Sequence, residues 1–367
     1  MKKIKILIIG MSCNLGGIET YLYNLYKNAD KSKYEFSFLV FDYGKKVCFE
    51  DELEKEGVKF YKITPRTKKY SKFLKDLKKV YKNNNFDYIH FNLMDLSCFE
   101  RITYANKYSK ARIIIHSHNA GFGKNESFKT RCFHQIGKHI IKKIPYFKVA
   151  CGPHAGKFMF SNKEYIIFNN GIDINKFEFD RENRNKVRES LKIDNKTTII
   201  GIIAKLEKQK NPLFLIDVFN EYKKENKNAK LISVGEGSFK EQMLVKIKEY
   251  KIENDVIFLG KRHDVHKIYS AFDIYLMPSL YEGLSISLIE AQVNGLKCYA
   301  SDGVDKASNI TGNVEFISLK KTAKEWAKII LKNKNKRDIS VSEKIPEEFK
   351  AVKSYEKVFQ FYKDNLK

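Results

Sequence analysis

Ile274-Tyr275-Leu276-Met277-Pro278-Ser279-Leu280-Tyr281-Glu282-Gly283-Leu284-Ser285-Ile286-Ser287-Leu288-Ile289-Glu290-Ala291 reads as one strand, one loop and the start of one helix. An unbroken apolar run such as 274–277 suits a strand buried on both faces. Apolar positions at Ile286, Leu288, Ile289 and Val293 mark a helix that ends near Gly295. Ser285 stands at the expected N-cap, and Gly283 lets the backbone approach a ligand closely. Glu282 therefore falls in the strand-to-helix loop, and Glu290 inside the helix. Free N–H groups at such a helix start can bind a diphosphate. The two carboxylates can accept hydrogen bonds from a polyol, one from a sugar and one from a ribose. Taken alone, an ordinary loop glutamate and a solvated helix glutamate fit the same pattern.

The same strand-to-helix unit repeats on either side. Strands are expected at 5–9, 35–41, 58–63, 88–91, 112–117 and 147–151, with helices at 18–28, 70–83 and 130–143. After a polar stretch at 169–195 the alternation restarts, with strands at 198–204, 230–234, 256–259, 274–277 and 297–300. Alternation of this kind predicts parallel sheets with helical crossovers. The expected organisation is an α/β chain of two Rossmann-like, doubly wound domains, 1–175 and 176–345, facing a central cleft. Segment 346–367 is expected as a closing helix, patterned over 347–365, that packs back on the first domain. Ligands of such sheets sit beyond the carboxyl ends of the strands.

At about 150 residues per domain, 367 residues make two domains, and 43% hydrophobic residues can fill their cores. Lysine and arginine number 69 against 44 acidic residues, a formal charge of +25. That charge suits a nucleic acid, an anionic membrane or a phosphorylated substrate, and a lysine-rich solvated surface accounts for it equally well. Cys13, Cys48, Cys98, Cys132, Cys151 and Cys298 form no C-x-x-C pair, which fits a reducing compartment. No run reaches the roughly 18 apolar residues of a membrane span. Lys5 interrupts the apolar start 4–9, so a buried first strand is a better reading than a signal peptide. The expected location is cytoplasmic, with peripheral contact on the inner face of the cell membrane left open.

Glu282 and Glu290, seven residues apart within Glu-Gly-Leu-Ser…Ile-Glu-Ala, resemble the E-x7-E signature of retaining family 4 glycosyltransferases of GT-B fold. Four further segments match in order: Leu15-Gly16-Gly17-Ile18-Glu19-Thr20, Ile115-His116-Ser117-His118-Asn119, Asn170-Gly171-Ile172-Asp173, and Ala204-Lys205-Leu206-Glu207-Lys208-Gln209-Lys210-Asn211. The overall pattern is similar to capsular and exopolysaccharide glycosyltransferases of the EpsF-like group and spans almost the whole chain. The resemblance implies transfer of a sugar from a nucleotide diphosphate donor, with UDP expected, to a glycan or lipid-linked acceptor. It further implies that Glu290 holds the ribose, Glu282 the sugar hydroxyls, and Gly283, Leu284 and Ser285 offer backbone groups to sugar or phosphate. His118 is implied to line the donor sugar, and Lys205 and Lys210 to neutralise the leaving diphosphate. Lysine stands at 205 where the commoner family pattern has arginine, which loses the bidentate fork on phosphate.

Gly16-Gly17 opens a helix directly after a strand, so its N–H groups could meet donor phosphate or an acceptor group. A plain tight turn has the same sequence. Neither this stretch nor Gly235-Glu236-Gly237, with Lys240 at the third position, completes G-x-G-x-x-G, so dinucleotide hydride chemistry lacks its sequence support. No D-x-D occurs and no His or Cys spacing makes a cage, so neither a metal nor another cofactor is expected.

Two basic stretches are amphipathic. Phe73, Leu74, Leu77 and Tyr81 alternate with Lys68, Lys72, Lys75, Lys79 and Lys82. Phe133, Ile136, Ile140 and Ile144 accompany Arg131, Lys138, Lys142 and Lys143. A core-facing helix with a solvated back explains both, and docking on anionic lipid is the sharper alternative. Three other functions stay open at this level. They are a sugar-nucleotide epimerase of similar architecture, a non-catalytic sugar-nucleotide-binding subunit, and a nucleic-acid binder, for which no recognisable motif exists.

Overall fold

The structure is a computed structural model that describes residues 2–119, 121–122, 126–161, 164–333 and 336–366. It divides into two compact units, Met1–Gly171 with Ala351–Lys367, and Ile172–Lys350. The first holds strands β1 (Ile4–Ile9), β2 (Tyr34–Phe41), β3 (Lys59–Ile63), β4 (Tyr88–Leu93), β5 (Arg112–Ser117), β6 (Phe147–Ala150) and β7 (Ile166–Ile167). The second holds β8 (Thr198–Ile203), β9 (Ala229–Val234), β10 (Val256–Gly260), β11 (Ile274–Met277), β12 (Lys297–Ser301) and β13 (Val314–Ile317). Their orders are 3-2-1-4-5-6-7 and 10-9-8-11-12-13. Strand pairing is parallel in both sheets. Each unit is thus a doubly wound α/β sheet, and its strand order reverses between β1 and β4 or between β8 and β11.

The apolar runs are continuous because both faces of each sheet are covered. Along β1, Ile4, Ile6 and Ile8 enter one core while Leu7 and Ile9 enter the opposite one. Along β8, Ile200 and Ile202 face one core and Ile199 the other. β7 and β13 are absent from the expected strand set. β7 has only two residues, and β13, Val-Glu-Phe-Ile, carries a glutamate that breaks its apolar run.

The helix Tyr70–Lys82 buries Phe73, Leu77, Val80 and Tyr81 and leaves its lysine stripe exposed. The helix Phe128–Ile141 corrects the sequence expectation. Its buried stripe is His134, Gly137 and Ile141, whereas Ile136 is exposed. Leu96 decides this rotation. His134 Nδ1 accepts from the Leu96 N–H at 3.1 Å, and a Cβ on Gly137 would collide with the Leu96 carbonyl. The closing helix runs Ala351–Asp364, four residues later than its expected start, since Glu347–Phe349 form a separate 3₁₀ turn. It completes the first unit's core with Tyr355, Val358, Phe359, Phe361 and Tyr362. The hydroxyls of Tyr34 and Tyr88 donate to its Phe359 and Tyr362 carbonyls at 3.0 and 2.9 Å.

Candidate functional site

In the second unit, the loops leaving β8 and β11 lie at the strand-order reversal, where a doubly wound sheet opens to ligand. The β8 loop ends in the 3₁₀ turn Lys208–Lys210, which places Lys210 Nζ 2.6 Å from Glu282 Oε1. Their side chains are only 17% and 11% exposed, so each charge depends on the other for compensation. Gln209 completes the arrangement. Its amide donates to Glu282 Oε1 at 2.9 Å and to the Tyr281 carbonyl at 3.0 Å, and its own carbonyl accepts from Leu280 N at 2.7 Å. The Glu282 backbone is pinned as well, donating to Gly303 O at 2.9 Å and accepting from Asp305 N at 3.1 Å.

Lys205 stands two residues past β8, is exposed, and has no ion-pair partner among the described residues. Gly235-Glu236-Gly237 packs against the segment that carries it. A Cβ at Gly235 (φ +129°) or at Gly237 would collide with the carbonyl of Ala204 or Leu206, so these two glycines serve close backbone approach.

Ser285 occupies the N-cap of the helix Ile286–Val293 but does not cap it with its side chain. Its hydroxyl points to Met277 Sδ at 3.4 Å instead, and the first-turn N–H groups lack a side-chain cap. Ser308 Oγ accepts from Ser285 N at 3.0 Å and donates to Gly283 O at 3.3 Å, which fixes the loop just ahead of the helix. Leu284 is partly buried against Ile172, Ile289, Val293 and Ile345. Glu290 lies on the second turn, where the Tyr269 hydroxyl donates to its Oε2 at 2.8 Å. Desolvation pushes its carboxyl up to about 7, against the opposing influence of Tyr269 and Lys176.

In the first unit, Gly16 is the N-cap of the helix Gly17–Lys27 and also leaves its first turn without a side-chain cap. The nearly buried Glu19 in that turn accepts from Ser12 Oγ at 2.7 Å, putting a negative charge near the helix start. His118 follows β5, held by its N–H to Leu93 O at 3.0 Å. Its Nε2 lies 2.9 Å from Asn92 Oδ1, and its ring stands 4.0 Å from His116 and 5.3 Å from Tyr21, centroid to centroid. Burial pushes His118 down to about 3, so the ring is neutral at physiological pH.

The structure therefore brings Lys210 and Glu282 into contact, sets Gly283, Leu284 and Ser285 between Glu282 and the Glu290 helix, and in the first unit puts Gly16 and Gly17 at a helix start and His118 at the end of β5. Gln209, Tyr269, Ser308 and Asn92 were not among the expected site residues. Gln209 sits inside the quoted segment 204–211, and Asn92 is a polar residue in an otherwise apolar strand end. Those are faint signals beside the spacing of two glutamates.

Residues 15–153 match the family described as Glycosyltransferase Family 4, and residues 183–347 match Glycosyl transferases group 1. EpsF of Bacillus subtilis (strain 168), a protein named as a glycosyltransferase, is 30% identical over 90% of this chain and 87% of its own. An Escherichia coli protein named UDP-Gal:alpha-D-GlcNAc-diphosphoundecaprenol alpha-1,3-galactosyltransferase is 25% identical over 66% of this chain and 62% of its own. Among solved structures, Anabaena HepE in complex with UDP-glucose has a TM-score of 0.80 at 18% identity, covering 98% of this chain and 100% of that one. That likeness is one of fold.

Proposed function

The chain belongs to the family 4 glycosyltransferases, and from that premise we propose that it moves a sugar, with retention, from a UDP-linked donor to a glycan or lipid-linked acceptor in cell-surface polysaccharide synthesis. The observation that carries this reading is the Lys210–Glu282 pair at the reversal of the second sheet. A donor supplies what each partner lacks once they separate. Its diphosphate takes the Lys210 ammonium, and its sugar hydroxyls donate to the carboxylate that Gln209 still holds. Lys205 and the uncapped N–H groups after Ser285 add positive charge where the leaving diphosphate gains negative charge. Glu290 takes the ribose hydroxyls. The names of the relatives and neighbours, with UDP-Gal, UDP-glucose and a diphosphoundecaprenol acceptor, support the donor and acceptor classes.

The reaction breaks the bond from the anomeric carbon to the donor phosphate oxygen and forms one to the acceptor oxygen on the same face. The leaving phosphate oxygen takes the acceptor's proton. Two side-chain properties support that route. His118 resists protonation down to about pH 3 and is a weak base, and the Glu282 carboxylate is taken up by Gln209 and the donor's sugar hydroxyls. Glu19 disfavours phosphate at the Gly16-Gly17 helix start, which suits hydroxyl groups of sugar or acceptor better. We propose that the two ammonium groups make a divalent ion dispensable. We further propose that the exposed basic faces of the first unit dock on anionic lipid, which would bring a lipid-linked acceptor within reach.

The test is a thermal-shift screen of UDP-, GDP- and ADP-sugars, followed by turnover with and without a chelator. UDP-sugars should stabilise the protein, and a chelator should leave turnover unchanged. Glu282→Gln should lower kcat/KM by about 10- to 100-fold and Lys210→Ala by about 100-fold or more, each with the fold intact by circular dichroism but a lower Tm, since either change leaves a charge without its partner. Unchanged kinetics in both variants would remove the site assignment.

A further inference from the structure

Asn92 lies at the carboxyl end of β4, next to the strand-order reversal of the first sheet, and is 2% exposed. We propose that Asn92 is a positioning residue that fixes which nitrogen of His118 meets the substrate. It accepts the Nε2 proton and leaves Nδ1 as a bare acceptor for a sugar hydroxyl. This inference rests on the reading of His118 as a donor-sugar residue and specifies the chemistry it recognises.

The orientation of the amide follows from its other end. Asn92 Nδ2 lies 3.4 Å from Ile9 O and 3.3 Å from His90 O. Turning the amide over would set its oxygen against two carbonyl oxygens, so Oδ1 must face His118. The side chain is buried and bonded at both ends of its amide. Gly10, at φ +140°, lies so close that a Cβ there would be 2.6 Å from Asn92 O and 2.8 Å from Asn92 Cβ. An oxygen at 2.9 Å from Nε2 demands a proton on that nitrogen.

A neutral imidazole has only one proton to give. The titratable groups around the ring are His116 and Tyr21, with His90 stacked behind His116, and all of them are buried. No carboxylate is among these ring contacts to stabilise an imidazolium. His118 is half-buried rather than enclosed, and its Nδ1 has no hydrogen-bond partner among the described residues. Nδ1 can therefore take a hydrogen bond from a hydroxyl or an amide N–H, and it repels phosphate and carboxylate oxygens. Through Asn92, the first unit selects a neutral polyol at this position.

The experiment is proton-detected NMR of protein labelled with 15N in its histidines, with kinetics of UDP-glucose turnover as the second readout. The wild type should show an exchange-protected ring proton on Nε2 of His118, assigned by its loss in His118→Ala. Asn92→Leu should lose that protection and lower kcat/KM about tenfold, the scale of one hydrogen bond. Asn92→Asp should hold His118 as an imidazolium and give kcat/KM a new pH dependence, which a purely structural change would not. Circular dichroism and Tm check the fold of each variant. A ring proton on Nδ1 in the wild type, or an unaltered pH profile in Asn92→Asp, overturns the inference. Unchanged turnover in His118→Ala instead overturns the reading of His118 itself, which the Nε2 signal does not depend on.

Discussion

Glu290 sits where a small change in protonation is felt at neutral pH, because burial pushes its carboxyl up to about 7. Ribose hydroxyls donate to the charged form, so binding favours the carboxylate and lowers its pKa. Affinity should therefore rise with pH through about 7. We expect the Kd of UDP to be several-fold higher at pH 6 than at pH 8, and Glu290→Gln to flatten that dependence; calorimetry across the range measures both. A residue-level reading of the sequence reached Glu282 and Glu290 because their spacing and the Gly-Leu-Ser between them survive in one dimension. Gln209 and Tyr269 did not stand out, since a glutamine among lysines and a tyrosine in a short mixed helix acquire meaning only from the carboxylates they touch across 73 and 21 positions of chain.

The helix Phe128–Ile141 shows how an element can be legible while its orientation is not. Its period was readable, yet its buried face is His134, Gly137 and Ile141, because the backbone of Leu96 admits a glycine and bonds a histidine. Counting apolar residues selects Ile136, which the fold leaves 46% exposed beside a Phe128 that is 82% exposed. Two exposed apolar side chains among Lys129, Arg131 and Lys142 give this helix the character of a lipid-facing surface. Phe128→Ser with Ile136→Ser should weaken cosedimentation with anionic vesicles several-fold and leave thermal stability unchanged, because neither side chain is buried. Equal binding of the wild type to neutral and anionic vesicles at low salt would refute docking. No helix of the described residues is long and apolar enough to cross a membrane.

At the scale of the whole molecule, the two units differ in their stake in pH. His90 and His118 are held down to about 3, His134 to about 4 and His116 well below its usual value, all by burial and all in the first unit. Their folded pKa values lie below the unfolded one, so between about pH 6.5 and 3 the unfolded chain binds more protons and stability falls with falling pH. Each ring that stays neutral in that range therefore costs stability relative to neutral pH. Hydrogen exchange should accelerate in the first unit's sheet between pH 7 and 4.5 well before it does in β8 to β13; a uniform loss of protection would contradict this. The chain by itself determined the alternation of buried strands and helices, the restart near residue 198 and the five motif segments, since apolar period and short-range spacing are properties of neighbours in sequence. Tertiary structure alone decided that Lys210 closes on Glu282, that Asn92 meets His118 and that the hydroxyls of Tyr34 and Tyr88 fasten the closing helix. Those partners are separated by 72, 26 and several hundred residues, and only packing sets the distance between them.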